Sequence, residues 1–201
     1  TDEVIGIDLG IKTLAVCSNG MEFKNINKTT KVRKIEKRLR RLQRSASRKY
    51  EKNKEGNRYV KTRNIIKIEK QIQLLHRRLS NIRNNHLHQT TNAIVRTKPS
   101  KVVMEDLNVK GMMKNRNLAK AISQQKFYEF KRQMEYKCEK YGIEFIQVDR
   151  FFTSSKLCSN CGQINKNLKL SDRVYHCDCG LHIDRDLNAS LNLANYGKSV
   201  K

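Results

Sequence analysis

Apolar residues return along this chain at two periods, and the changes between them mark its organisation. Residues 4 to 9, VIGIDL, are rich in β-branched side chains, broken by Gly6 and followed by Gly10, the pattern of a buried strand ending in a turn. LAVCS at 14 to 18 and MEFKNI at 21 to 26 follow, joined by Asn19-Gly20, a dipeptide that favours a tight hairpin. Three successive strands are predicted, the last two antiparallel. The period then lengthens: Val32, Ile35, Leu39, Leu42 and Ala46 recur at spacings of three and four, as do Ile65, Ile68, Ile72, Leu75, Leu79 and Ile82. Two amphipathic helices with coiled-coil-like seams are expected. Pro99 ends this region, and KVVMEDL at 101 to 107 reads as another buried strand. A helix is predicted over 119 to 141, closed by Gly142, then a strand IEFIQVD at 143 to 149. The tail, 186 to 197, reads as a short helix with Leu187, Leu191 and Ala194 inward and Gly197 closing it. No internal repeat or low-complexity linker is present.

Charge changes the picture of the helical pair. Lys and Arg total 43 against 19 Asp and Glu, a formal net charge of +24, which points first to a polyanionic partner, nucleic acid. Between residues 31 and 63 fifteen Lys or Arg face only Glu36, Glu51 and Glu55, more than i, i+4 pairing could neutralise. Arg40, Arg41, Arg44 and Arg48 are therefore candidate phosphate contacts, with a solvated face as the alternative. His76, His86 and His88 are expected to be packing or surface residues. No apolar run approaches the ~20 residues that span a bilayer. The opening TDEVIGIDLG is a strand pattern, not a signal peptide, so no membrane partner and a cytoplasmic, nucleoid-associated location are expected.

Two groups of residues carry candidate chemistry. Cys158-x-x-Cys161 is followed after fifteen residues by Cys177-x-Cys179, each pair beside a glycine, a spacing that can close one structural Zn²⁺ site from two facing turns. The second knuckle is one residue short, so either it bends more sharply or His176 or His182 replaces a thiol. The segment between the knuckles has too few apolar residues for its own core, so zinc would supply its folding free energy. Cys17 and Cys138 read as small core residues. The second group is acidic: Asp8 inside the first strand, Glu105 ending a later strand, and Asp186 opening the last helix. A carboxylate in a buried strand is costly unless its charge is offset. Acids from two adjacent strands and a helix terminus can converge on a pair of hard divalent cations about 4 Å apart, the machinery of phosphodiester hydrolysis.

These same stretches carry a resemblance. GIDLGIKTLAV around Asp8, VVMEDLNVKGM around Glu105, FTSSKLCSNCG through the first knuckle and CDCGLHIDRDLNAS through Asp186 resemble the split RuvC nuclease and zinc ribbon of the TnpB (OrfB) family of transposon-encoded proteins, related to type V CRISPR effectors. ISQQKFYEFKRQMEYKCEKYGIEFIQVDRFF resembles the family's connecting helix and strand. The resemblance runs nearly end to end and implies an α/β, RNase H-like (RuvC) fold with a mixed central sheet. It divides the chain into core parts at 1–27, 100–152 and 184–201, a basic helical-hairpin insertion at 28–99 and an inserted zinc ribbon at 153–183.

It further implies an RNA-guided DNA endonuclease with Asp8, Glu105 and Asp186 as its catalytic acids, holding two Mg²⁺ (or Mn²⁺) ions. In the family pattern D-x-N-A the ligand is Asp186, before Asn188, and Asp184 becomes a helix N-terminal or supporting residue. DNA is the expected substrate and a guide RNA the expected partner. Lys12, Arg150, Lys156 and Arg185 flank these motifs and are further candidate phosphate contacts. Family members carry a large N-terminal part that binds the guide, whereas this sequence opens on the Asp8 strand. The alternative is an RNA- or DNA-binding module without cleavage of its own.

Overall fold

The apolar run at the start becomes β1 (Val4–Leu9) in a computed structural model that describes residues 2–169 and 171–200. β2 (Thr13–Cys17) pairs antiparallel with β1, and β3 (Glu22–Lys24) pairs antiparallel with β2, the latter as the hairpin dipeptide between them favours. A single turn of 3₁₀ helix leads to α1 (Thr30–Lys52), whose first turn is capped by the Thr29 hydroxyl accepting from Val32 N. β4 (Lys54–Glu55) and β5 (Arg58–Tyr59) form a small hairpin before α2 (Arg63–Arg96). Then come β6 (Lys101–Glu105), α3 (Val109–Met112), α4 (Arg116–Gln125), α5 (Phe127–Tyr141) and β7 (Glu144–Val148). β8 (Val174–His176), β9 (His182–Asp184) and α6 (Arg185–Ser199) complete the chain. No helix among the described residues is long and apolar enough to cross a membrane.

The chain divides into two units, Thr1–Asn25 with Leu87–Lys201, and Ile26–His86. The first holds a mixed five-stranded sheet in the order β3-β2-β1-β6-β7, with β1, β6 and β7 parallel. Alternation along β1 sends Ile5 and Ile7 to one face, where they pack with Leu14, Met104, Phe130 and Met134. Val4 goes to the other face and packs with Val103, Leu193 and Ala194. Gly6 shares that second face, and its missing side chain lets α6 lie directly on the strand: a Cβ there would collide with the Ser190 carbonyl and the Ala194 amide. Because the obstacles are backbone, Gly6→Ala is expected to destabilise the fold by about 3 kcal/mol, the upper end for overpacking. A urea midpoint unchanged from wild type would show that α6 has room to move.

The second unit is held by the expected seam: Val32, Ile35, Leu39, Leu75 and Leu79 are buried together, with Leu42, Ile72 and Ile82 against them. Arg83 reinforces it, donating to Asn27 Oδ1 at 2.7 Å and to Glu36 Oε1 at 3.1 Å.

Three expectations need correction. The predicted continuous helix over 119 to 141 starts at Arg116 and breaks at Lys126, which lies in the left-handed region with φ 54°. There Gln125 is drawn aside to donate to the Gly10 carbonyl at 2.8 Å. The inward face of α6 includes Asn188, Asn192, Leu193, Ala194 and Gly197, the last packed on Val103 and Val4 inside the helix, which runs on to Ser199 rather than closing at Gly197, while Leu187 and Leu191 are only half-buried. The strands β4 and β5 were not foreseen, since their residues are polar and leave no hydrophobic alternation.

Candidate active site and metal centre

Period-2 alternation places Asp8 on the face of β1 that bears Val4 and Gly6, beneath α6. β6 runs parallel beside it with Ile7 opposite Met104, so Asp8 and Glu105 each stand one residue further, at the carboxyl ends of neighbouring strands. Crevices at such ends are where open α/β sheets place ligands. The close approach permitted by Gly6 carries the start of α6, with Asp186 in its first turn, to the same end. Asp184 is the N-cap of α6, its Oδ1 accepting from Asp186 N at 2.9 Å and Leu187 N at 3.2 Å.

Asp8 feels the other two acids. Burial pushes the Asp8 carboxyl well above its usual range, and the charges of Asp186 and Glu105 push it further, with Arg185 partly offsetting them. Glu105 is also raised, first by burial; the Ser154 hydroxyl, 3.5 Å from Oε2, works against that shift and Asp106 adds to it. Arg185 lies 3.8 Å from Asp186 Oδ1. The arrangement is an anionic centre that Arg185 partly offsets.

The cysteines form a second centre. Cys158 and Cys179 stand 3.6 Å apart and Cys161 and Cys177 3.5 Å apart, sulfur to sulfur. All four sulfurs lie within 4.8 Å of one another and could hold a metal ion; among the described residues no other group of three or more Cys, His, Asp or Glu is so tightly gathered. His176 and His182 instead stack edge-on at 4.4 Å across β8 and β9. Asn160 donates to the Cys179 sulfur and, with the Leu181 backbone, holds that thiol down to about 6. Cys17 and Cys138 are buried elsewhere, their thiols pushed up by desolvation to about 12 and about 11.

Two side chains missed in the sequence join the centres. Asn188 donates to the Leu157 carbonyl at 2.7 Å and accepts from Ser159 N at 3.1 Å, while Asn192 donates to the Ser154 and Leu157 carbonyls at 2.8 and 2.7 Å. α6 thus grips the backbone leading into the first knuckle. Two asparagines four residues apart on a face of small residues were the available signal. Of the candidate phosphate contacts, Lys12, Arg40, Arg41, Arg44, Arg48 and Lys156 are exposed. Arg150 is paired with Asp106 at 2.6 Å, and Arg185 also reaches the Lys169 carbonyl at 3.4 Å.

A family model described as "Probable transposase", OrfB_IS605, matches residues 1–116. The chain belongs to the TnpB (OrfB) family. A second model, the Cas12f1-like TNB domain, matches residues 127–193, which include the four cysteines and the start of α6. Within the TnpB family, a "Putative RNA-guided DNA endonuclease" of Streptomyces pristinaespiralis is 37% identical over 98% of this chain and 46% of its own length. The "Putative RNA-guided DNA endonuclease InsQ" of Escherichia coli K12 is 32% identical over 98% of this chain and 50% of its own. The chain therefore spans about half the length of the curated relatives it matches. The Cas12f1 chain of a Cas12f1–sgRNA–target DNA complex shares the fold, with a TM-score of 0.62 at 22% identity over 95% of this chain and 49% of that one.

Proposed function

We propose that this chain is the RuvC-type, RNase H-like nuclease portion of an RNA-guided DNA endonuclease. In this reading Asp8, Glu105 and Asp186 bind two Mg²⁺ or Mn²⁺ ions for phosphodiester hydrolysis, and the four cysteines hold one structural zinc in a ribbon at 153–183. The observation that carries it is the gathering of three acids at one end of the sheet, Asp8 and Glu105 on neighbouring parallel strands and Asp186 in the first turn of α6, with Asp8 a partly buried carboxylate whose proton affinity burial and the other two acids raise. Such a group is costly in a metal-free fold and useful when a divalent cation offsets its charge.

Oxygen-only donors suit a hard cation, and four sulfurs within 4.8 Å of one another, two pairs of them at 3.5 and 3.6 Å, suit zinc, for which Zn–S bonds of ~2.3 Å set a tetrahedral edge of about 3.8 Å. Bound divalent ions would supply a water of lowered pKa and a counter-charge for the departing oxygen. The protein's own residues arrange that centre. Asp184 fixes the first turn of α6 and with it Asp186, Ser154 orients Glu105, and Arg185 moderates the repulsion at Asp8. The relatives' names and the guide- and DNA-bearing Cas12f1 complex support DNA as substrate and a guide RNA as partner. The exposed Arg40, Arg41, Arg44 and Arg48 on α1 suit the nucleic-acid backbone.

The test is incubation of the chain and its Asp186→Ala variant with labelled single- and double-stranded DNA in Mg²⁺, Mn²⁺ and EDTA. Metal-dependent product from the wild type alone is expected. Because the chain spans only half of its relatives, a second reading is a nucleic-acid-binding module that needs further protein to cut. Salt-sensitive binding with no product in any metal would select it.

A further inference from the structure

Beside Glu105 the sheet end opens into a cavity of about 360 Å³, at the small end of ligand pockets, which run from about 300 to 1,000 Å³. Its apolar lining includes Leu9, Met104 and Phe127, and cationic groups of Lys110, Lys131 and Arg150 also line it. Tyr128 completes the wall and is 74% exposed, whereas its neighbour Phe127 is buried. α5 restarts after the left-handed Lys126, with Phe127 buried against the cavity and the next ring, one helical step round, facing outward.

A flat aromatic surface, an apolar lining and cations beside an acid that the nuclease reading places at the scissile phosphate form a constellation suited to a nucleotide. Water alone does not need the ring. We propose that this cavity takes one unpaired nucleobase of the DNA strand presented to Glu105, with Tyr128 as its stacking platform. The inference rests on the nuclease reading for the identity of the strand. A base within a duplex is already stacked on both faces, so only a single-stranded or locally opened substrate can offer one. Lys110, exposed on the short α3, lies where a neighbouring phosphate would find a counter-charge, while Arg150 is held by Asp106 and Lys131 lies 3.5 Å from Glu135. The site would register the strand by one base, so that the phosphate beside that base meets the acids.

The experiment measures fluorescence anisotropy of a short labelled single-stranded DNA, and of an equally long abasic strand, in Ca²⁺ so that affinity is read without turnover. Tyr128→Ala is expected to weaken the base-bearing strand about tenfold, in keeping with the loss of one base–aromatic stack. It should change the abasic strand by no more than about twofold, since phosphate attraction is untouched. Tyr128→Phe, which keeps the ring, should bind as wild type. Equal losses on both strands, or no loss on either, overturn the proposal. Cleavage in Mg²⁺ separates it from the nuclease reading. If the wild type cuts nothing yet the Tyr128 pattern holds, the cavity stands and the catalytic reading falls. If cutting depends on Asp8 while Tyr128→Ala matches wild type on both strands, the cavity alone falls.

Discussion

Replacing Asp8 by Asn is expected to abolish Mg²⁺-dependent cleavage and, in EDTA, to make the protein more stable than wild type. The two effects have one cause. Asparagine keeps the shape of the side chain and removes the charge that burial, Asp186 and Glu105 all oppose. Asp8 carries a raised pKa in the folded state, so the fold binds its proton more tightly than the unfolded chain does. Stability is therefore full below the ordinary value of 3.8, falls as pH rises from there through the raised folded value, and stays lower above it. In EDTA the variant should gain on wild type progressively over that rise, and the two should converge near pH 3.8. Each 1 kcal/mol gained appears as about 2–4 °C in Tm for a chain of this size. Mg²⁺ should narrow or reverse the difference, because ligand binding stabilises only the protein that keeps the site. Activity moves the other way: losing several kcal/mol of metal-borne stabilisation corresponds to a fall of about a thousandfold or more. An Asp8→Asn variant that cuts at the wild-type rate would remove the nuclease reading. One no more stable in EDTA at pH 8 would show that Asp8 is not strained.

Asp8 was legible as a carboxylate inside a short apolar strand run closed by Gly10, whereas the face it shares comes from the structure. Alternation along VIGIDL puts Val4, Gly6 and Asp8 on one face, and Gly6 marks where another backbone comes close. Glu105 could be placed at a strand end on the same grounds. What could not be read depends on partners distant in the chain. Nothing local at Lys126 announces a left-handed residue; the break accompanies a Gln125 bond to Gly10, 115 residues away. Likewise nothing near Asn188 and Asn192 in the chain announces their partners, the carbonyls of Ser154 and Leu157. Hydrophobic patterning therefore favoured the Leu187 and Leu191 side of α6, which is the half-buried one. The short second knuckle left histidine ligation open on spacing alone; the structure gathers four sulfurs and pairs the two imidazoles with each other.

Those asparagines also connect the two centres, and on the proposed reading of the cysteines as a zinc site removal of that metal should expose the connection. With the metal stripped by a strong chelator, residues 153–184 are expected to lose hydrogen-exchange protection while β1, β6 and β7 keep theirs. The segment has little else to hold it: β8 and β9 are three residues each, and among its described residues Tyr175 is the one large fully buried side chain, its hydroxyl donating to the Lys156 carbonyl at 2.9 Å. Against that, structural zinc contributes on the order of 10–16 kcal/mol in small peptide modules. Once the knuckles open, Asn188 and Asn192 lose the ordered carbonyls they grip, and the buried amides at the start of α6 are left to find water. The first turn of α6, with Asp184 and Asp186, should then fray and Mg²⁺-dependent cleavage should fall, although no acid has been touched. Cys161→Ser should reproduce both effects, and added zinc should restore the chelated wild type but not the variant. Metal analysis should find one zinc per chain. Protection in 153–184 that survives complete zinc loss would mean that the ribbon stands on its own contacts, and that the cysteine centre has no part in holding Asp186.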